Sequence, residues 1–196
     1  FTTFPLKSVA DLKGKKIYGP GAVAEWLRGT GAVAVNGGLP VYYNGVKTGV
    51  ASGGIVITTG MFPFKLHEVG KYITVVDMGG PISGAITMNK DTWNSLPAYM
   101  QDIFRKLGSE YSAKQGAIVA KKAKIFMGLM KKQGAIISTF PQAERRKWAN
   151  MIPNIAKEWV NADKKQAATR KTVMKAFIAG SRAAGDEPLR AWDKGL

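Results

Sequence analysis

Residues 15–31, KKIYGPGAVAEWLRGTG, hold the pattern that decides the fold class. The run Lys15-Lys16-Ile17-Tyr18 predicts a strand and Gly19-Pro20-Gly21 predicts a tight connection. The residues from Ala22 to Arg28 then predict a short helix. Strand, turn and helix follow one another with no long loop between them, and this order is typical of an α/β fold.

The same character extends over residues 1–90, which are rich in glycine and β-branched residues. The apolar runs Ile73-Thr74-Val75-Val76 and Ala85-Ile86-Thr87-Met88 stand between glycines and predict two further strands. We therefore expect residues 1–90 to form one α/β lobe.

Residues 91–196 have helical character instead. Apolar residues recur at multiples of three to four positions from Ile103 to Leu129, which predicts one long amphipathic helix ended by Gly134. No internal repeat or low-complexity linker separates the two halves, so we expect them to pack as one body. The later predicted elements are a short strand at 135–138, one helix from Pro141 with the stripe Trp148, Ile152, Ile155 and Trp159, and a last helix with Val173 and Phe177.

The composition excludes several classes of protein. A chain of 196 residues that is 45% hydrophobic and holds five tryptophans can bury a core. No window approaches the roughly 18 uncharged apolar residues of a membrane-spanning helix, so direct membrane insertion is not expected. Because the chain has no cysteine, it has no disulfide framework, no thiolate nucleophile and no cysteine-based zinc site.

The net charge of +16 raises the question of a polyanionic partner. Residues 1–90 hold nine basic and four acidic residues, and residues 91–196 hold twenty and nine, so most of the excess lies in the helical half. There the lysines stand in pairs between apolar residues at helical spacing, which is typical of a solvated helix face. The alternative is a basic nucleic-acid-binding helical module, which would bind less tightly as salt rises, but no recognition helix or stacking motif accompanies the charge.

No catalytic constellation is visible in the sequence. The single histidine, His67, has only Glu68 beside it and lacks the partner and orienting group of a general base. Gly19-Pro20-Gly21 matches neither phosphate-binding glycine pattern. No G-x-S-x-G elbow occurs, and the thirteen acidic residues are scattered. We therefore predict a binding protein with no enzymatic activity, no metal and no cofactor.

Four stretches in order resemble the solute-binding proteins of tripartite ATP-independent periplasmic (TRAP) transporters. They are PLKSVADLKGKKI at 5–17, YNGVKTGV at 43–50, KLHEVGKY at 65–72 and MNKDTWNSLP at 88–97. Because all four occur in the family's order and at its spacing, together they are far more specific than any one alone.

The resemblance covers nearly the whole chain and implies a two-lobed, type II-like periplasmic binding fold that closes on its ligand. Residues 1–90 correspond to the second lobe. Residues 91–196 correspond to the long spanning helix, a short strand and C-terminal helices that pack on both lobes. The family's first lobe precedes this region, so the chain is expected to lack most of it.

The resemblance also implies where the ligand would bind. Tyr18 stands where the family usually has a carboxylate-binding arginine, and Val56 stands where it has an asparagine. An apolar, hydroxyl-bearing wall favours a ligand with more hydrocarbon or aromatic surface. A core position for Tyr18 and a plain turn at 36–39 are the alternatives. The candidate ligand-binding residues are Tyr18, Pro20, Gly21, Trp26, Asn36, Gly38, Leu39, Ile55, Val56, Thr58, Thr59 and Phe62.

In function, the resemblance implies a periplasmic protein that captures a small organic acid. It would deliver that acid to the membrane subunits of a TRAP transporter, with no nucleic-acid partner. A sensor or receptor domain that uses the same fold is the alternative.

Overall fold

The computed structural model describes residues 1–79 and 85–196. Within them the chain forms four short strands and eight α-helices, together with three 3₁₀ helices. The strands are β1 (Lys16–Tyr18), β2 (Val33–Val35), β3 (Tyr72–Val75) and β4 (Ile136–Thr139). The α-helices are α1 (Tyr42–Lys47), α2 (Thr58–Met61), α3 (Leu66–Val69), α4 (Lys90–Ser95), α5 (Ala98–Lys132), α6 (Gln142–Met151), α7 (Ile155–Asn161) and α8 (Ala167–Ala183). The 3₁₀ helices are Val9–Leu12, Gly21–Leu27 and Leu39–Val41.

The strands form two parallel pairs, β1 with β2 and β3 with β4. The extended residues 52–55 lie beside β1, where the Tyr18 N–H donates to the Gly53 carbonyl at 2.9 Å. Thr2 runs antiparallel between this segment and β3, and its N–H donates to the Tyr72 carbonyl at 2.9 Å. The backbone hydrogen bonds therefore cross the lobe without a gap from β2 to β4.

Each face of this mixed sheet carries a separate apolar core. Successive side chains of a strand point to opposite faces, so Ile17 lies in one cluster and Tyr18 in the other. The cluster around Tyr18 holds α1, α2 and the end of α5. The cluster around Ile17 holds the amino-terminal 3₁₀ helix and α6, with Trp148 and Phe140 in edge contact at 5.7 Å between ring centroids.

The α/β class predicted from the sequence is confirmed, but the strand predicted at 85–88 is wrong. Residues 85–89 have no regular structure, and Ile86 is 86% exposed. A strand needs a backbone partner as well as an apolar pattern. No partner lies beside this segment within the described part of the chain.

The long predicted helix is present, and the helix predicted from Pro141 to Trp159 is in fact two helices. Helix α5 ends at Lys132, and Gly134 follows with φ of 91°, a left-handed conformation that favours glycine. The second helix breaks because Pro153 cannot donate the hydrogen bond that would continue α6. The Asn154 side chain then caps α7 by accepting from the Lys157 N–H at 3.0 Å.

The apolar stripe of α5 lies mostly in the open. Only the last turns of the helix enter the core, where Met130 is buried and Phe126 stacks on Phe62. Residues 102–122 are exposed along their whole length. The exposed apolar side chains of this face are Ile103, Leu107, Tyr111, Ile118 and Ile125.

Gly29 follows the 3₁₀ helix Gly21–Leu27 and tests how closely this segment approaches the end of α6. A Cβ added there would lie far inside contact distance of the Met151 carbonyl oxygen, and φ is 80°. Gly14 has φ of 73° and nothing within 4 Å of an added Cβ, so it is a matched control. Gly14→Ala should lower the free energy of unfolding by about 1–2 kcal/mol through backbone strain alone. Gly29→Ala should lower it by at least ~2 kcal/mol more in urea unfolding, and equal losses would contradict this close contact.

Two carboxylates hold the amino-terminal 3₁₀ helix and give the fold a predicted acid dependence. Backbone N–H groups of Ser8 and Lys7 donate to Asp11 and lower the pKa of its carboxyl. Hydrogen bonds from Lys147 and then from the Val9 N–H lower the pKa of Glu144. A carboxyl with a lowered folded-state pKa stabilises the fold above its unfolded pKa, and this contribution is lost as pH falls.

Stability should therefore decline below the ordinary carboxyl values of 3.8 for Asp and 4.5 for Glu. In Asp11→Asn/Glu144→Gln the urea midpoint should be lower at neutral pH and fall less steeply below this range. Glu110→Gln, on the exposed part of α5, is the control. Parallel acid profiles for the double variant and the parent protein would show that these two carboxylates do not carry the dependence.

Candidate ligand-binding site

The candidate site lies at the carboxyl edge of the parallel strands. β1, β2 and the segment 52–55 all run in the same direction and end at this edge. In open α/β sheets ligands bind outside the carboxyl ends of the strands, where the connections diverge. The connections after these strands contain most of the predicted ligand-binding residues.

Three of these connections meet one another. The Gly19 N–H donates to the Val35 carbonyl at 3.2 Å, which ties the turn after β1 to the end of β2. A Cβ added at Gly60 would lie 3.1 Å from Leu39 Cδ2 and 3.4 Å from Val56 Cγ2. Leu39 and Val56 therefore converge on the start of α2, where Thr58 and Thr59 are half-buried.

The turn residues of the edge are open to solvent. Gly21 adopts φ of 55° and is exposed, and Pro20 immediately precedes the 3₁₀ helix. Asn36 and Gly38 are also exposed, and the Asn36 Oδ1 accepts from the Gly37 N–H at 3.0 Å. The side-chain oxygen of Asn36 is thus used within its own turn.

Three segments of this edge carry no charge. Residues 18–21, 36–41 and 55–62 contain no acidic or basic side chain. Two apolar side chains that the sequence did not single out are open there, Ile57 at 64% and Val41 at 49% exposure. Ile57 could have been identified from the sequence, because it directly follows Ile55-Val56, where the segment leaves the sheet. The wall is therefore apolar with a few hydroxyl groups.

The Tyr18 side chain does not stand out from this wall. It is 4% exposed and stacks on Tyr42, with ring centroids 4.4 Å apart and an interplanar angle of 15°. Burial, and secondarily the neighbouring Tyr18, raises the pKa of the Tyr42 phenol above its ordinary value, so Tyr42 is neutral at physiological pH. The structure thus favours the core position that the sequence left open for Tyr18.

Trp26 and Phe62 each make a contact outside the candidate set. The Trp26 carbonyl accepts from the Trp148 Nε1 at 2.6 Å, which places this residue over α6. Phe62 stacks on Phe126 at 5.1 Å and on His67 at 5.5 Å between ring centroids, so it joins α2 to α3 and α5. The Trp26 contact is made by its backbone, and Phe62 also packs on the core cluster that Leu39 and Val56 contact.

Ile55 and Val56 point to opposite faces of the sheet and pack on different core clusters. Both line a cavity of about 70 Å³ between the two clusters, together with buried residues such as Ile17 and Trp148. Because its walls are mostly core side chains, this cavity is a packing gap beneath the edge.

Arg145 of α6 contacts the segment that follows β3. Arg145, near the start of α6, donates to the Asp77 carbonyl and forms an ion pair with the Asp77 carboxylate at 3.3 Å. Asp77 adopts φ of 45°, which is uncommon for a residue other than glycine. The Arg145 Nε is buried with no hydrogen-bond partner among the described residues. This positive charge is thus already engaged by an internal carboxylate.

His67 is buried at 4% exposure, and its Nε2 lies 2.5 Å from the Gln133 Oε1. It therefore links α3 to the end of α5, and its ring stacks on Phe62. Within residues 1–79 and 85–196, no group of three or more His, Asp or Glu side chains is arranged to hold a metal ion. In the same residues no helix is long and apolar enough to cross a membrane.

Comparison with known families identifies the class of protein. Residues 1–163 match the model of the DctP family, bacterial extracellular solute-binding protein, family 7. This match covers more than half of the chain, so the chain belongs to that family. The resemblance predicted from the sequence is confirmed.

Solved structures of TRAP periplasmic solute-binding proteins share the fold. One from Rhodoferax ferrireducens, with bound malonate, has a TM-score of 0.78 and 20% identity over 92% of this chain and 58% of its own. One from Desulfovibrio salexigens, with bound orotic acid, has a TM-score of 0.74 and 21% identity over 89% and 57%. A marine metagenome protein specific for aromatic acids, in complex with metahydroxyphenylacetate, has a TM-score of 0.71 and 22% identity. The match covers 91% of this chain and 59% of that protein.

The chain spans 55–59% of the length of these and similar solved structures. Because the identities are low, the similarity establishes the fold and not the ligand.

Phe62 offers a test of whether this aromatic is structural. Phe62→Ala removes the ring that stacks on Phe126 and His67, and we expect the free energy of unfolding to fall by about 3 kcal/mol or somewhat less, because the site is half-buried. Phe64→Ala, at a neighbouring ring that is 39% exposed, is the matched control and should cost less than about 1 kcal/mol. Similar losses for both variants in urea unfolding would show that the aromatic stack contributes little.

Proposed function

We propose that this chain forms the second lobe and spanning helices of a periplasmic protein that captures a small organic acid and delivers it to the membrane subunits of a TRAP transporter. The observation that carries the proposal is a strand carboxyl edge whose segments 18–21, 36–41 and 55–62 carry no charge, in a member of the extracellular solute-binding family. Its role is binding, without covalent chemistry.

The absence of enzymatic activity is part of the proposal. The one histidine is buried, stacks on Phe62 and contacts Gln133 through its Nε2, so that ring nitrogen is already engaged. The carboxylates with lowered pKa values, such as Asp11 and Glu144, accept hydrogen bonds that hold the fold. These contacts support a site that recognises a ligand by burial and a few polar groups.

The wall favours an acid with a hydrocarbon or aromatic part. Leu39, Val56 and Ile57 present apolar surface, and Thr58 and Thr59 supply hydroxyl groups. Because this wall has no charged group, residues that are not part of it would bind the ligand carboxylate. Among proteins with the same fold, one binds malonate and another is specific for aromatic acids, so the fold itself accommodates both sizes.

The exposed apolar stripe of α5 supports the idea that another lobe of the same protein covers this helix. Its apolar side chains follow one face over residues 103–125, and about half of each side chain is open. A contiguous apolar face of this length is normally covered in a soluble protein. We propose that the family's first lobe packs on this face and that the two lobes close on the ligand by a hinge.

A thermal-shift screen of the full-length protein tests the ligand class. Aromatic monoacids such as meta-hydroxyphenylacetate, long aliphatic monoacids and dicarboxylates such as malonate would be compared. A ligand at about 100 times its Kd stabilises the folded protein by ~2.7 kcal/mol, which raises Tm measurably. We expect the aromatic or long monoacids to give this shift.

A shift with malonate alone would retain the organic-acid function and contradict the apolar-wall argument. No shift with any of the acids would contradict an organic-acid ligand altogether.

A further inference from the structure

Tyr18 occupies a socket formed largely by glycines. An added Cβ at Gly37 would lie 3.3 Å from the Tyr18 Cε1, and one at Gly54 would lie 3.1 Å from the Tyr18 Cβ. Tyr42 covers one face of the ring at 4.4 Å. The phenol is thus enclosed at its base, along its edge and on its face.

Gly45 closes the far end of this socket. It lies in α1, and an added Cβ would stand 2.7 Å from the Tyr18 Cζ and 2.9 Å from its Cε2, with the hydroxyl oxygen closer still. Real Cβ atoms do not approach other atoms this closely. Any side chain at position 45 therefore forces the phenol and α1 apart.

The position of the phenol decides what stands at the end of β1. Tyr18 is the last residue of that strand, and only Gly19, Pro20 and Gly21 follow it before the 3₁₀ helix. None of these three has a side chain that can reach into the space outside the strand. With the phenol withdrawn under α1, the end of β1 is lined by backbone and a proline ring.

We propose that Gly45 is a specificity-determining residue that acts by positioning Tyr18. By admitting the phenol beneath α1, it keeps the end of β1 free for the aromatic or hydrocarbon part of the ligand. This inference rests on the proposed function and assigns to one glycine, remote from the strand in sequence, the preference for a bulky acid over a small one.

The test is isothermal titration of the full-length protein with meta-hydroxyphenylacetate and with malonate. In Gly45→Ala the phenol is displaced, and we expect the Kd for meta-hydroxyphenylacetate to rise at least ~10-fold while that for malonate changes less than ~2-fold. Gly45→Ala/Tyr18→Val removes the displaced ring and should restore the aromatic acid to within ~3-fold of the parent Kd. A general structural defect would weaken both acids and would not be rescued.

Gly128→Ala is the matched control, because Gly128 is also helical and an added Cβ there meets nothing within 4 Å. It should leave both Kd values unchanged. An unchanged ratio of the two Kd values in Gly45→Ala would overturn the inference while the proposed function stands. If neither acid binds the parent protein, the proposed function fails and the inference fails with it.

Tyr18→Val alone keeps the inference testable if Gly45→Ala does not fold. The withdrawn phenol makes no contact with ligand, so this variant should keep the parent ratio of the two Kd values. A selective loss of meta-hydroxyphenylacetate binding would mean that Tyr18 contacts the ligand directly, and would overturn the inference.

Discussion

The sheet depends on the close approach of the amino-terminal segment to Gly53 and Gly54. A Cβ at Gly53 would lie 2.8 Å from the Thr2 Cα, and one at Gly54 would lie 2.9 Å from the Phe1 Cε1. Only glycine lets Thr2 pair with both the segment 52–55 and β3. Without this pairing the two parallel pairs would be separate two-stranded sheets, which are marginal in water. The shared carboxyl edge exists because these two glycines join the pairs.

The net charge lies mostly in residues 91–196, outside the segments 18–21, 36–41 and 55–62 of the candidate edge. The lysine pairs 121–122 and 131–132 are exposed on α5, as the helical spacing predicts, and the pair 164–165 is exposed in the turn between α7 and α8. Between Tyr111 and Ala143 six lysines occur with no acidic residue. Solvated charges of this kind contribute to solubility and long-range fields rather than to the fold. The candidate edge and the lysine pairs are therefore formed by different segments of the chain.

Local sequence was sufficient where local forces decide the structure. Strand β1, the 3₁₀ helix after it and the end of α5 before Gly134 follow from turn chemistry and periodicity. The strand predicted at 85–88 was wrong because pairing depends on a partner that periodicity does not reveal. The position of Tyr18 depends on Gly45, which lies 27 residues further along, so the strand pattern alone left two positions open. The break at Pro153 was available in the sequence, but the apolar stripe through Ile152 and Ile155 hid it.

Among the described residues only the carboxyl end of helix α5 enters an apolar core, whereas its amino end contacts α4, which is itself largely exposed. The 35 residues of α5 extend about 52 Å at the usual rise per residue. The exposed part before residue 123 accounts for about 37 Å of that length. A tilt of about 10° where Phe126 and Met130 enter the core would carry the far end by about 6 Å. A small rearrangement of side chains beneath α2 would therefore be magnified into a displacement as large as a bound acid.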